Sequence, residues 1–260
     1  MIHRLKRLSV LLLLMVFISL AAAYAQETAA LPEEQVSERL GFIENALRSA
    51  QPMAKVWYYG WLGAYSAAAA VQGGLSIAHW NDVKPADDIP DAVMVHDRAF
   101  AQDMLVGSAT AALGVGGLLM DPFLPAWSYD KLRSLPATTA EEQRAKLARA
   151  EELLRRCAQR EKDGRGWLTH LLNIGANAAA GLTTVLAFDR PWTDGLVTFA
   201  AGEAVSLLNI FTQPRRAIRD WENYEVKYLG RQGSNIPQAP YDGQWVFRFF
   251  PGGIIISLQF

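Results

Sequence analysis

The chain has one cysteine among its 260 residues, Cys157, so no intrachain disulfide can hold it together. It also lacks a Gly-x-Ser-x-Gly turn, a phosphate-binding glycine loop, a Cys-x-x-Cys pair, a paired-histidine zinc helix and a dinucleotide fingerprint. These absences exclude the enzyme classes that such motifs define, and we expect no cofactor and no bound metal. Cys157 falls among leucines at helical spacing, which predicts a buried thiol.

The chain also has no excess of basic residues. The chain contains 25 Lys and Arg against 26 Asp and Glu, a formal net charge of −1. Residues 1–25 carry three of the basic residues and none of the acidic ones, so the charge without them is −4. A mildly acidic chain has no general attraction for nucleic acid, and we therefore exclude nucleic-acid partners.

The first 25 residues have the layout of a secretory signal peptide. A basic start, with Arg4, Lys6 and Arg7, precedes an apolar run and then the small-x-small pattern Ala23-Tyr24-Ala25. The pattern predicts export, with a mature chain that begins near Gln26.

Helical patterns fill residues 26–230. Pro32 and two acidic residues predict a helix start, and apolar residues then recur at steps of three and four, at Val36, Leu40, Ile43 and Leu47. Pro52 is expected to end this helix or to begin the next.

Four apolar segments follow, at residues 56–80, 100–120, 167–188 and 192–211. They predict two helical hairpins, 56–120 and 166–213. A loop at 81–97 is expected in the first hairpin, and a charged helix at 137–162 connects the two. Thr139 and Glu142 have capping-box spacing at the start of that connecting helix.

The two hairpins resemble each other in sequence. Gly60-Trp61-Leu62 matches Gly166-Trp167-Leu168, and Asp103-Met104-Leu105-Val106 matches Asp194-Gly195-Leu196-Val197. We therefore predict an all-α fold, a helical bundle built from two related hairpins as an internal repeat.

The location of the four segments has two readings. Their length and their many small residues suit membrane helices, whereas their polar residues suit a soluble bundle core. Four spans after an exported N-terminus would leave 19 Lys and Arg outside and only 3 inside, which inverts the positive-inside rule. We expect the periplasm or the outer membrane as location, with the inner membrane less favoured.

A polar face on the third segment is the main candidate site. His170, Asn173 and Asn177 recur at helical spacing, and Glu203 lies on the paired helix. One reading is a buried hydrogen-bond network that sets helix register. The other is a functional cavity, in which Glu203 acts as an acid–base group or holds a metal together with His170.

Residues 231–260 change to a period of two, which predicts a C-terminal β-hairpin around Pro251-Gly252-Gly253. In its last strand the apolar residues alternate, at Ile254, Ile256, Leu258 and Phe260. This strand resembles the terminal strand of bacterial outer-membrane barrel proteins, which the barrel assembly machinery reads. The resemblance implies an outer-membrane targeting or partner strand.

Together, these observations predict a non-enzymatic cell-envelope protein, exported from a Gram-negative-type bacterium, that acts structurally or by binding an envelope partner. One alternative is a membrane-embedded enzyme or small-ligand carrier with a polar cavity between its helices. Another is an oligomeric outer-membrane assembly that self-associates through the C-terminal hairpin.

Overall fold

The computed structural model describes residues 31–81, 91–230, 244–250 and 253–259, and most of these residues are helical. The predicted all-α class is confirmed. The predicted signal peptide, residues 1–25, and the terminal Phe260 lie outside the described residues.

The elements follow one another along the chain as helices and then two strands. The helices are α1 (Glu33–Asn81), α2 (Asp91–Met120), α3 (Ser128–Arg133), α4 (Ala140–Asp163), α5 (Trp167–Leu186), α6 (Trp192–Thr212) and α7 (Arg216–Tyr228), with a 3-10 turn at Leu124–Ala126. Strand β1 (Gln244–Phe250) pairs antiparallel with β2 (Gly253–Gln259). The chain divides into two compact units, Met1–Trp221 and Glu222–Phe260.

The capping signals of the sequence are confirmed. Helix α1 begins at Glu33, with a second acidic residue in its first turn. At the start of α4, Glu142 N donates to Thr139 Oγ1 over 3.2 Å, and Thr139 N donates to Glu142 Oε2 over 3.1 Å. This reciprocal pair satisfies two backbone donors that a helix start would otherwise leave unbonded.

The expected break at Pro52 is wrong, because α1 runs through this residue without ending. Pro52 is exposed, so the carbonyl of Arg48 that loses its helical partner remains within reach of water. Ala50 and Ala54 on either side are buried, at 6% and 0% exposure. Packing of both neighbouring turns therefore keeps the helix continuous through a residue that usually ends or kinks one.

The expected loop at 81–97 is also wrong in its second half, since α2 begins at Asp91. An acidic residue suits the positive end of a helix, which explains a start at this position. Helix α7 lies within the predicted helical region 26–230 but was not among the individual helices predicted there. Its buried residues Ala217, Trp221 and Tyr224 follow one another at steps of four and three, a helical signal present in the sequence.

The buried apolar residues concentrate in one part of the chain, which we call the core region: residues 33–55 of α1, the 3-10 turn, α3 and α4. Helix α1 contacts α3 and α4, and α3 contacts α4. Ile43, Leu132 and Leu147 have no exposed surface. Cys157 is buried as predicted, 3.0 Å from Ser128 Oγ, and burial raises the pKa of its thiol to about 12.

The remaining helical part consists of residues 56–80 of α1, residues 100–120 of α2, and helices α5 and α6, which we call the apolar helices. Helix α1 packs along α2, α5 packs along α6, and α2 contacts α5. A Cβ atom on Gly195 would lie 2.7 Å from the carbonyl oxygen of Gly181, so the backbones of α5 and α6 meet here. Such close crossings through small residues are typical of helices packed in membranes.

Candidate functional site

Two members of the predicted polar face meet between α5 and α6. Asn177 Nδ2 donates to Glu203 Oε1 over 2.7 Å and to Ser206 Oγ over 3.1 Å. Asn177 is 6% exposed, so its amide needs these partners. Gly202 lies against the same amide, and any side chain at that position would collide with Asn177 Oδ1. The network therefore depends on a glycine that lets the two helices come close.

The other two members of that face lie further along α5. His170 and Asn173 are half-buried, seven and four residues before Asn177. Among the described residues the structure gives no hydrogen bond from either side chain to Glu203. Nor do the described residues include a group of three or more His, Cys, Asp and Glu placed to hold a metal ion. Asn177 and Glu203 are thus the pair that the fold brings together.

A charge cluster that sequence reasoning missed lies in the short loop between α5 and α6. Arg190 forms ion pairs with Asp103 of α2 over 2.7 Å and with Asp194 of α6 over 2.6 Å, and it donates to the carbonyl of Ala99 over 2.9 Å. Asp189 before it has a φ of 52°, which carries the chain sharply out of α5. The signal was in the sequence: both aspartates occupy matched positions of the proposed repeat, and the second hairpin loop contains one basic residue.

A second missed group lies where α4, α6 and α7 meet. Glu161 is fully buried, and its Oε2 accepts from the backbone N of Ile218 over 3.0 Å in the first turn of α7. Removal from water raises the pKa of this carboxyl to about 8. Gln213 Nε2 donates to the Glu161 carbonyl over 3.4 Å, which ties the end of α6 to the same point. Glu161 therefore caps a helix that lies 55 or more residues later in the chain.

The predicted C-terminal strand has a defined register. Ile254, Ile256 and Leu258 of β2 pair with Phe249, Phe247 and Trp245 of β1, respectively. Directly paired positions of an antiparallel ladder share a face, so these six apolar residues occupy register positions on one face of the hairpin. Phe260 lies outside the described residues.

Two helical stretches are long and apolar enough to cross a membrane. They are Arg98–Met120 and Trp192–Tyr228, with mean hydropathies of 1.5 and 1.4. Only 17% of the most apolar part of the first stretch and 11% of that of the second are buried, which is unlike the central helix of a soluble bundle. Membrane association is the location that this property favours.

Comparisons with known proteins add no family to this description. No protein-family model matches the chain, and no curated protein or solved structure matches it either.

Proposed function

We propose that this chain is a membrane-embedded, non-enzymatic envelope protein, whose apolar helices hold the core region at the membrane surface for contact with an envelope partner. The observation that carries the proposal is the contrast between the two parts. The core region buries most of its large apolar side chains, whereas the apolar helices expose most of theirs.

The exposed apolar side chains cover all four apolar helices. Examples that are at least 60% exposed are Val56, Val71, Ile77, Leu113, Trp167, Leu172, Leu186, Trp192, Leu196, Val197 and Phe211. Soluble monomers rarely expose continuous apolar patches of more than a few hundred Å², because each Å² costs about 25 cal/mol in water. A lipid environment removes this cost without any rearrangement of the helices.

The lengths of the apolar helices fit a bilayer. Helices α5 and α6 have 20 and 21 residues, which corresponds to about 30 Å each, the thickness of the hydrocarbon core. Tryptophans lie near both ends of the set: Trp61 and Trp167 towards the core region, Trp80 and Trp192 at the opposite end. Tryptophan favours the two membrane–water interfaces, so this placement supports a spanning arrangement.

The charges of the apolar helices also fit a bilayer. Their sequence contains three charged residues, Asp103, Asp194 and Glu203. Arg190 pairs with the two aspartates near the end marked by Trp192. Asn177 donates hydrogen bonds to Glu203 and to Ser206. Ionisable groups inside membranes are expensive unless they pair, and here they stabilise contacts between helices. This use of the polar groups supports a structural role over a catalytic one.

Thiol labelling in cell membranes tests the proposal. Ile174→Cys places a thiol near the middle of α5, at a side chain that is 46% exposed. Arg155→Cys is the matched control on the exposed face of α4. The native Cys157 is buried and leaves the background low. We expect a membrane-impermeant maleimide to label Arg155→Cys at least about tenfold faster than Ile174→Cys, because a thiol within lipid does not ionise.

Equal labelling of the two thiols, or release of the wild-type chain from membranes by carbonate, would contradict membrane embedding. The same Arg155→Cys thiol reports sidedness. Following the predicted signal peptide, we propose that the core region faces the exported side, so this thiol should react in intact spheroplasts. Reaction only after lysis would place the core region in the cytoplasm. Separation of inner and outer membranes identifies the membrane that holds the protein.

A second candidate function, a small-ligand carrier, is favoured by the polar side of α6. Glu203, Ser206 and Asn209 follow at steps of three residues, opposite Asn177. Asn209 Nδ2 is buried, and it has no hydrogen-bond partner among the described residues. A buried unpaired amide is rare and can indicate a place for a bound molecule.

Native mass spectrometry distinguishes this candidate. If the chain is a carrier, the purified wild-type protein should hold an additional small molecule that Glu203→Gln loses while its helical circular dichroism is unchanged. A wild-type mass that equals the polypeptide mass would contradict the carrier and leave the Asn177–Glu203 bond as a helix contact.

A further inference from the structure

Two arginines lie near each other at the end of the apolar helices that faces the core region. Arg165 precedes the first residue of α5 by two positions, and Arg215 follows the last residue of α6 by three. Arg165 Nη2 donates to the carbonyl of Phe211 over 3.2 Å and to the carbonyl of Gln213. These bonds hold the Arg165 guanidinium at the negative end of the α6 dipole, two residues from Arg215.

The positive charge of this pair is poorly compensated. Burial and the nearby charge of Arg215 both lower the pKa of Arg165, and Glu161 opposes this effect. The pKa of Glu161 is itself raised to about 8, so at neutral pH this carboxyl is mostly protonated and provides little negative charge. Asp220, which lies near Glu161, pairs with Arg216 over 3.3 Å. The pair therefore carries close to two positive charges.

Arg215 has the freedom to meet an anion from outside the chain. Its side chain is exposed, and it makes no hydrogen bond or ion pair with any other residue that the structure describes. Two guanidinium groups close together repel each other, and an anion between them would remove this repulsion. A phosphate group suits them, because its oxygens match the planar fork of arginine.

The depth of the pair identifies the source of the phosphate. Trp167 and Phe211 flank the two arginines along the chain and are 76% and 68% exposed. Exposed aromatic residues at the ends of apolar helices mark the membrane interface, where phospholipid headgroups lie. Arginines at this level face headgroup phosphates directly.

We propose that Arg165 and Arg215 bind the phosphate of an anionic phospholipid at the ends of α5 and α6. The inference rests on the membrane embedding proposed above and names the lipid class that this surface selects. A zwitterionic phospholipid carries its own ammonium group, which competes with the arginines. An anionic phospholipid offers its net negative charge to both.

Lipid selectivity of the full chain tests the site. Wild-type protein, Arg215→Gln and Arg155→Gln are reconstituted into phosphatidylcholine vesicles, and the association of spin-labelled phosphatidylglycerol is compared with that of spin-labelled phosphatidylcholine. Arg155 is an exposed arginine of α4, and its variant has the same change of charge away from the site. We expect the wild type and Arg155→Gln to prefer phosphatidylglycerol over phosphatidylcholine about fivefold. Arg215→Gln should bind the two lipids about equally.

Each outcome separates the two proposals. If all three proteins resist carbonate extraction and show the same lipid preference, the lipid site is overturned and membrane embedding is unaffected. Failure of the wild type to remain in vesicles after carbonate treatment would overturn membrane embedding itself. Displacement of the labelled phosphatidylglycerol by millimolar inorganic phosphate would overturn the lipid as occupant and assign the arginines to free phosphate.

Discussion

Replacement of Arg190 with glutamine will lower the free energy of unfolding by about 2–3 kcal/mol. Arg190 is 16% exposed and bonds to Asp103, Asp194 and the carbonyl of Ala99, so its loss leaves two carboxylates beside apolar helices without a cation. The two aspartates are 40% and 34% exposed, which keeps the effect below that of a fully buried pair. Denaturation in mixed micelles, followed by far-ultraviolet circular dichroism, measures the change.

Two further variants test the physical reason for this effect. Arg155→Gln removes an exposed arginine and should change stability by less than about 0.5 kcal/mol. The triple variant Arg190→Gln, Asp103→Asn, Asp194→Asn removes the cation together with both anions. We expect it to recover more than half of the stability that Arg190→Gln loses, because unpaired charge is the main cost. A triple variant less stable than the single one would show that the hydrogen-bond geometry matters more than the charge.

The wild type will lose stability as pH rises, and replacement of Glu161 with glutamine will abolish this loss. Burial raises the pKa of Glu161 from its ordinary 4.5 to about 8 in the folded chain. Between these two values the unfolded chain has released the proton while the folded chain still holds it. The contribution of Glu161 to the free energy of unfolding is therefore complete below about pH 4.5 and declines as pH rises to about 8. The slope approaches 1.4 kcal/mol per pH unit.

Other groups titrate over the same interval, so the difference between the wild type and Glu161→Gln is the informative quantity. From pH 5.5 to pH 8 we expect the wild type to lose about 3 kcal/mol relative to the variant. Glu142→Gln is the opposite control. Hydrogen bonds from Thr138 and Thr139 lower the pKa of Glu142, so its contribution is lost as pH falls through the acidic range. Parallel curves for the wild type and Glu161→Gln would mean that Glu161 is ionised in the folded chain.

Local patterns predicted a large part of this fold. The four apolar segments, the capping box of α4 and the buried Cys157 were all predicted from spacing within one or a few helical turns. The breaks at Pro52 and before Asp97 were predicted by the same local rules and were wrong. At Pro52, burial of Ala50 and Ala54 on either side outweighs the local preference of one proline. Propensity is a weak prior that packing overrides.

The candidate site shows the same division. Spacing placed Asn177 and Glu203 on facing positions, and the hydrogen bond between them is present. Spacing also placed His170 on that face, but a shared helical face does not determine which side chain the neighbouring helix reaches. The hydrogen bond to Glu203 comes from Asn177, beside Gly202, where the helices approach closely. Sequence reasoning identified the face, and the helix crossing selected the residue.

The helical class, the four apolar segments and their shortage of charge follow from the amino-acid sequence alone, because these properties depend on residues close together in the chain. The three-dimensional packing establishes which charges pair. Arg190 meets Asp103 across 87 residues, and Glu161 meets the first turn of α7 across 57. It also decided that the apolar helices keep their outer faces uncovered while the core region buries its own. Burial depends on what packs against a helix, and the spacing of residues along one helix does not encode its neighbour.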